Sequence, residues 1–213
     1  MWSVESKIFM RRGYLTLLLL VFFFGCSYPV KNLDSKGKNI ICFGDSITSG
    51  EGLSRKEEAF PSILAEFLGR EVINSGKPGD TTSSAFKRLE KDVLSKDPYI
   101  VILELGGNDF LQRIPLENSL KNLEKIILKI QERRAICVLI DISCGFLLSS
   151  YRKTYQDLAK KTGSIFVPGV FKGIFDDPSL KVDSLHPNPS GHKIIAERIY
   201  KAIRPYFKKT RGR

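Results

Sequence analysis

The 213-residue chain contains two histidines, and one of them follows a carboxylate by three positions, in Asp183-Ser184-Leu185-His186-Pro187. A tight turn can fold that carboxylate onto Nδ1 of the imidazole, which fixes the tautomer and leaves Nε2 free to accept a proton. A base held in this way serves a nucleophile. Ser46, in the glycine turn Gly44-Asp45-Ser46 after a short apolar run, is the candidate. Taken alone, the Asp-x-x-His spacing also fits a surface turn, and Ser46 also fits a helix-capping serine. Together they form a nucleophile, a base and an orienting group, the set that acyl transfer requires. His192 has no carboxylate at turn distance, so packing or capping near the start of the last helix is its expected role.

These residues need a scaffold, and the chain from Asn39 onward alternates short β-branched runs with amphipathic stretches. Strands are expected at Asn39 to Phe43, Glu71 to Asn74, Tyr99 to Leu105, Ala135 to Ile142 and Ser164 to Val167. The third of these reads as apolar on both faces, as a sheet covered by helices requires. Helices are expected at Glu57 to Leu68, Thr81 to Lys96, Leu116 to Arg134, Tyr151 to Thr162 and Ser190 to Phe207, with Thr81 or Thr82 capping the second. This rhythm predicts an α/β fold: a single three-layer sandwich with a five-stranded parallel sheet flanked by helices. Ligands of such sheets sit beyond the carboxyl ends of the strands. Gly44 to Ser46, Gly76 to Asp80 and Gly106 to Asp109 all follow strands, so three unusual segments converge on one edge.

Gly44-Asp45-Ser46-Ile47-Thr48, Gly106-Gly107-Asn108-Asp109 and Asp183-Ser184-Leu185-His186-Pro187 resemble, in order and separation, the first, third and fifth blocks of the SGNH (GDSL-like) hydrolases. Gly79 fits the single glycine of the second block. The segment Leu103 to Asp109 and the Gly79-Asp80-Thr81 run resemble the thioesterase, lysophospholipase and arylesterase branch. The resemblance implies an SGNH, flavodoxin-like sandwich and a serine esterase. In it Ser46 is the nucleophile, His186 the base and then the acid, and Asp183 the orienting carboxylate. The backbone N–H groups of Ser46 and Gly79 and the side-chain amide of Asn108 form the oxyanion hole. Asp45, Asp80 and Asp109 are expected to brace their turns. The α/β-hydrolase elbow G-x-S-x-G fails, because Thr48 stands where its second glycine belongs. No phosphate loop, dinucleotide fingerprint or zinc spacing is present, so neither metal nor organic cofactor is expected.

Substrate is less legible. Phe110 and Leu111, Phe146 to Leu148, and Val170 to Phe175 are apolar segments near the expected mouth, suited either to an acyl or aryl group or to packing at the sheet edge. The expected reaction is hydrolysis of a carboxylic ester or thioester such as a lysophospholipid, a short acyl ester or an aryl ester. The alternatives are O-deacetylation of cell-envelope carbohydrate and an idle surface-binding lipoprotein.

The first 26 residues stand apart. Lys7, Arg11 and Arg12 precede an apolar run from Tyr14 to Phe24 that ends at Gly25-Cys26. The run is shorter than the roughly 20 residues of a membrane span and has the order of a secretory signal. A small residue before cysteine makes Cys26 a candidate lipidated N-terminus, with residues 27–38 as a polar spacer and the hydrolase domain over 39–213. An extracytoplasmic location follows, as a membrane-anchored lipoprotein or as a periplasmic or secreted protein. The net charge of +11 suits either contact with an anionic membrane surface or, as the plainer reading, a solvated basic surface concentrated in the tail Lys208 to Arg213, and an export signal argues against nucleic acid as a partner. Cys42 and Cys137 lie in apolar runs and are expected as small core hydrophobes.

Overall fold

The computed structural model describes residues 28–144 and 149–210. Among them are five parallel strands in the order β2-β1-β3-β4-β5: β1 (Asn39–Gly44), β2 (Val72–Gly76), β3 (Pro98–Glu104), β4 (Ile136–Ile140) and β5 (Ile165–Val167). Strand order reverses between β1 and β3, and a crevice opens at their carboxyl ends. β1 pairs with β2 from Ile40↔Val72 to Gly44↔Gly76, and with β3 from Ile41↔Val101 to Gly44↔Glu104. All three strands therefore finish level with one another.

The helices between them are α1 (Ser46–Ser49), α2 (Phe60–Leu68), α3 (Thr82–Asp92), α4 (Gly107–Leu111), α5 (Leu116–Glu132), α6 (Ser149–Thr162) and α7 (Pro189–Thr210). They cover both faces of the sheet, so the expected α/β sandwich is the observed fold. Ile40 to Phe43, Ile100 to Leu103 and Ile136 to Ile140 have almost no exposed surface. Leu123, Ile126, Ile127 and Ile130 of α5 and Ile195, Ile199 and Ile203 of α7 are likewise buried. Ile194 is partly covered and packs against this core. Cys42 and Cys137 are buried free thiols in β1 and β4.

Several boundaries differ from expectation for local reasons. The helix expected from Glu57 begins at Phe60, after a 3-10 turn at Lys56–Glu58 and an extended Ala59. Pro61 has no N–H to give to the carbonyl of Glu57, so an α-helix cannot run through from that point. The helix expected to reach Lys96 stops at Asp92, where Val93 leaves helical geometry and a 3-10 turn leads to a left-handed Asp97. Thr81 is its cap, accepting from the Ser84 N–H while the Ser84 hydroxyl accepts from the Thr81 N–H. The third strand is not apolar throughout: it ends on Glu104, a buried carboxyl.

His192, at the start of α7, is fully buried; its Nδ1 accepts from the Phe60 N–H at 3.1 Å, and its ring stacks on Phe60. The imidazole thus caps α2 and joins it to α7. Burial, with a smaller contribution from His186, lowers its pKa from 6.5 to about 4. The folded protein consequently binds fewer protons than the unfolded chain between those values. His192 contributes stability in full above pH 6.5, and that contribution is lost as pH falls towards 4. Denaturant titrations from pH 7.5 to 4 should show the wild type losing roughly 3 kcal/mol of its stability difference from His192→Leu. A constant difference across that range would assign His192 no linked proton.

Candidate active site

Ser46 is the first residue of α1, directly beyond the end of β1. Its predecessor Asp45 is the helix cap, and the Asp45 Oδ1 accepts from the Ile47 N–H at 3.1 Å. The turn is tight because Gly44 lies against the Thr48 hydroxyl and the Glu104 carbonyl, and a Cβ there would collide with both. The Asp183-to-His186 turn arrives from the opposite end of the chain, before α7. There Asp183 Oδ1 accepts from the N–H groups of Leu185 at 2.7 Å and His186 at 2.8 Å, while Oδ2 contacts His186 Nδ1 at 2.8 Å. His186 Nε2 stands 3.1 Å from Ser46 Oγ. The three residues singled out from the sequence form one hydrogen-bonded line.

The imidazole and the two N–H groups lower the Asp183 carboxyl to about pKa 2, the His186 contact contributing most. The carboxylate therefore remains charged across the neutral range, although half of its side chain faces solvent. With Asp183 accepting at Nδ1, Nε2 is the unprotonated nitrogen of a neutral ring and can accept from the serine hydroxyl.

Asn108 is near the start of α4, just beyond β3. Its Nδ2 donates to Asp45 Oδ2 at 3.1 Å and to the Asp80 carbonyl at 3.0 Å. Gly79 has a φ of +78°, and no atom lies within 4 Å of where a Cβ would stand. A side chain at that position would project into open space. Gly79, Ser46, Asn108 and His186 border the same cavity.

The three flanking aspartates hold the turns from behind. Asp109 is buried and accepts from the Thr82 N–H at 2.8 Å, the Thr82 hydroxyl at 2.6 Å and the Ser119 hydroxyl at 2.9 Å, tying α4 to α3 and α5. Asp80 accepts from the Ser84 hydroxyl and from Arg88. Arg88 also donates to the carbonyls of Ser75 and Gly44, and its guanidinium lies 4.3 Å from the centre of the Phe43 ring. This arginine fastens the ends of β1 and β2 to the Gly79 loop. Sequence reasoning missed it, since its partners lie 13 and 44 positions away.

The cavity holds about 600 Å³. Apolar side chains make up much of its wall: Phe110, Leu111, Ile142, Phe171, Phe175 and Leu185, with Cys144 among them. Phe110 and Leu111 are thus where sequence reasoning put them. Of the segment Val170 to Phe175, only Phe171 and Phe175 line the cavity, whereas Val170 and Ile174 are wholly buried in the core. Phe146 to Leu148 lie outside the described residues. Among those described, no group of His, Cys, Asp and Glu is placed to hold a metal ion.

This geometry belongs to a recognisable class. Residues 42–194 match the GDSL-like Lipase/Acylhydrolase family, and the chain is a member of it. It is 31% identical over 195 residues to an arylesterase of Vibrio mimicus, covering 85% of this chain and 94% of that one. It is 25% identical over 177 residues to thioesterase 1/protease 1/lysophospholipase L1 of Escherichia coli strain K12, covering 78% and 83%. The crystal structure of TesA superposes with a TM-score of 0.74 at 22% identity, covering 79% of this chain and 99% of the other. The chain is accordingly an ester hydrolase of the GDSL/SGNH type, with a small-molecule ester as its substrate.

Asn108 borders the cavity, and its amide is held by a carboxylate and a backbone carbonyl on adjoining segments. Asn108→Ala should lower kcat by about 10²- to 10³-fold with a much smaller change in KM, the behaviour of a donor used in the transition state. Steady-state kinetics on a p-nitrophenyl ester decides this, and an unchanged kcat would remove Asn108 from the reacting centre.

Proposed function

We propose that this protein is an exported serine esterase whose substrates carry an apolar acyl or aryl group, lysophospholipids and aryl esters being the chemistries that fit best. The observation carrying this reading is the Ser46–His186–Asp183 line opening onto an apolar cavity. Ser46 Oγ attacks the ester carbonyl as its proton passes to His186 Nε2, and Asp183 stabilises the imidazolium. The carbonyl oxygen becomes an oxyanion, received by the N–H groups of Ser46 and Gly79 and by the Asn108 amide. His186 then returns the proton to the leaving alcohol or thiol, leaving an acyl-Ser46 ester. Water, deprotonated by the same imidazole, hydrolyses that ester and restores the serine.

A wall that is mainly aromatic and aliphatic, with Glu51, Asp176 and Ser184 as polar members outside the reacting centre, favours this reading over deacetylation of carbohydrate, which calls for more polar groups. Activity on p-nitrophenyl esters of graded length should rise beyond acetate, and lysophospholipid should be turned over. Ser46→Ala and His186→Ala should each remove all but a fraction of a per cent of turnover, while circular dichroism stays unchanged. Preference for acetylated glycans over every longer acyl ester would reverse the substrate assignment. Several per cent of wild-type kcat in Ser46→Ala would reject the nucleophile.

Location rests on the basic, apolar, small-residue order of the first 26 residues, which lie outside those described. We infer that Cys26 becomes a lipidated N-terminus. The segment expected as a polar spacer is not free of the domain: over residues 28–38 the Tyr28 hydroxyl donates to the Ser164 carbonyl, the Asn32 amide donates to the carbonyls of Gln131 and Ala135, and Tyr28, Val30 and Leu33 pack against the core. Radiolabelled palmitate should enter the wild-type protein in its native host and not Cys26→Ala, and the truncated domain should keep full activity. A mature N-terminus elsewhere, with Cys26 unmodified, would make this a secreted or otherwise anchored esterase.

A further inference from the structure

Behind Asn108 stands a pair of carboxyls that the esterase chemistry does not itself require. Glu104, the last residue of β3, is 2% exposed, and Asp45 is 3% exposed. Both line the active-site cavity, and each carboxyl acts electrostatically on the other. The Thr48 hydroxyl donates to Glu104 Oε2 at 2.8 Å. Among the described residues, neither carboxyl is paired with a lysine or arginine. The other titratable groups acting on the pair are Cys42, Asp80, His186 and Tyr155.

Two carboxyls in contact, buried and without a cation, cannot both be ionised. Burial raises both, and Glu104 is raised further by the charge of Asp45. A pair that shares one proton holds it better on Glu104, because both oxygens of Asp45 already accept N–H groups, from Ile47 and Asn108, which favours its charged form. That leaves Asp45 as the anion, accepting from the Ile47 N–H at one oxygen and from Asn108 Nδ2 at the other.

An amide nitrogen has two hydrogens, and both of those on Asn108 are engaged, one by Asp45 and one by the Asp80 carbonyl. An oxyanion must therefore take over one of the two. A carboxylate holds an N–H more strongly than a neutral carbonyl does, so the hydrogen released is the one facing Asp80. The contact with Asp45 remains and keeps the amide in plane. We propose that Glu104 is a positioning residue of the oxyanion hole, which fixes the Asn108 amide through Asp45 and keeps the carboxyl pair at a single negative charge. A second charge on the pair would sit directly behind the atoms meant to stabilise an oxyanion. The inference rests on the reading of Asn108 as an oxyanion donor.

The test compares Glu104→Gln, Glu104→Leu, Asn108→Ala and the Glu104→Leu/Asn108→Ala double variant. Each is titrated with a serine-reactive fluorophosphonate, so that kcat is expressed per competent site and losses from misfolding drop out. Glu104→Gln replaces the O–H donor with an N–H donor and should stay within about fivefold of wild type. Glu104→Leu should lose about 100-fold in kcat with KM changed less than about threefold, as expected of a group acting on the transition state. The double variant should be no worse than Asn108→Ala by more than about threefold, because both changes act through one amide. Wild-type kcat per titrated site in Glu104→Leu would overturn the proposal, as would losses that multiply in the double variant. Should Glu104→Leu fail to fold, Glu104→Gln decides: a loss as deep as that of Asn108→Ala overturns it, and retained turnover supports it. If Asn108→Ala itself leaves kcat unchanged, the oxyanion-donor reading has failed and this inference falls with it. A loss in Asn108→Ala with none in Glu104→Leu would overturn the inference alone.

Discussion

A parallel sheet covered on both faces leaves almost no room for polar side chains along its strands, and this exclusion organises the molecule. Burying an unpaired polar group costs a few kcal/mol, so polar chemistry collects where strands stop. β1, β2 and β3 stop level with one another because their registers end on the paired residues Gly44, Gly76 and Glu104. Ser46, Gly79 and Asn108 then follow from three separate strands at similar height. The fourth segment, carrying Asp183 and His186, comes down over them from the far side of α7. The active site is thus a by-product of strand register, and any slip of β2 or β3 against β1 would separate the donors from the nucleophile.

Much of the site is legible in the sequence because it depends on short-range spacing. Asp183 and His186 share one turn, and Ser46, Gly79 and Asn108 each sit in a glycine-rich segment just after an apolar run. The supporting contacts are not legible in this way. Asp109 meets Thr82 across 27 positions, and Arg88 meets Gly44 across 44. Such partnerships exist only once the helices are laid on the sheet. Glu104 is hidden differently: the expected strand runs past it to Leu105 and reads as apolar on both faces, so its one carboxyl draws no role. Helix ends were misplaced where a single residue changed the backbone, at Pro61 and at Val93. Val170 and Ile174 share a loop with Phe171 and Phe175 but face the core, a division that composition cannot reveal.

Substrate preference and catalysis draw on different side chains, some of them on shared segments. The hydrogen-bonding groups come from strand ends and are fixed from behind by Asp45, Asp80 and Asp109. The apolar wall comes from α4, which also carries Asn108, from the end of β4, from the loop after β5 and from Leu185 of the triad turn. Changes to Phe110, Leu111, Phe171 or Phe175 can therefore alter which acyl group fits while leaving the hydrogen-bond geometry alone. Asp141, buried and accepting from Arg152, Ser143 and Gly169, ties the β4 and β5 sides of that wall together.

The turn from Asp183 to His186 has a mechanical consequence. Because the imidazole and its carboxylate belong to the same four-residue turn, stiffened by two backbone N–H bonds to Asp183, they travel as a rigid unit. The contact of Nε2 with Ser46 Oγ at 3.1 Å joins this turn to the nucleophile. Leu185, on the same turn, forms part of the cavity wall, so a substrate group that reaches Leu185 touches the segment that carries the base.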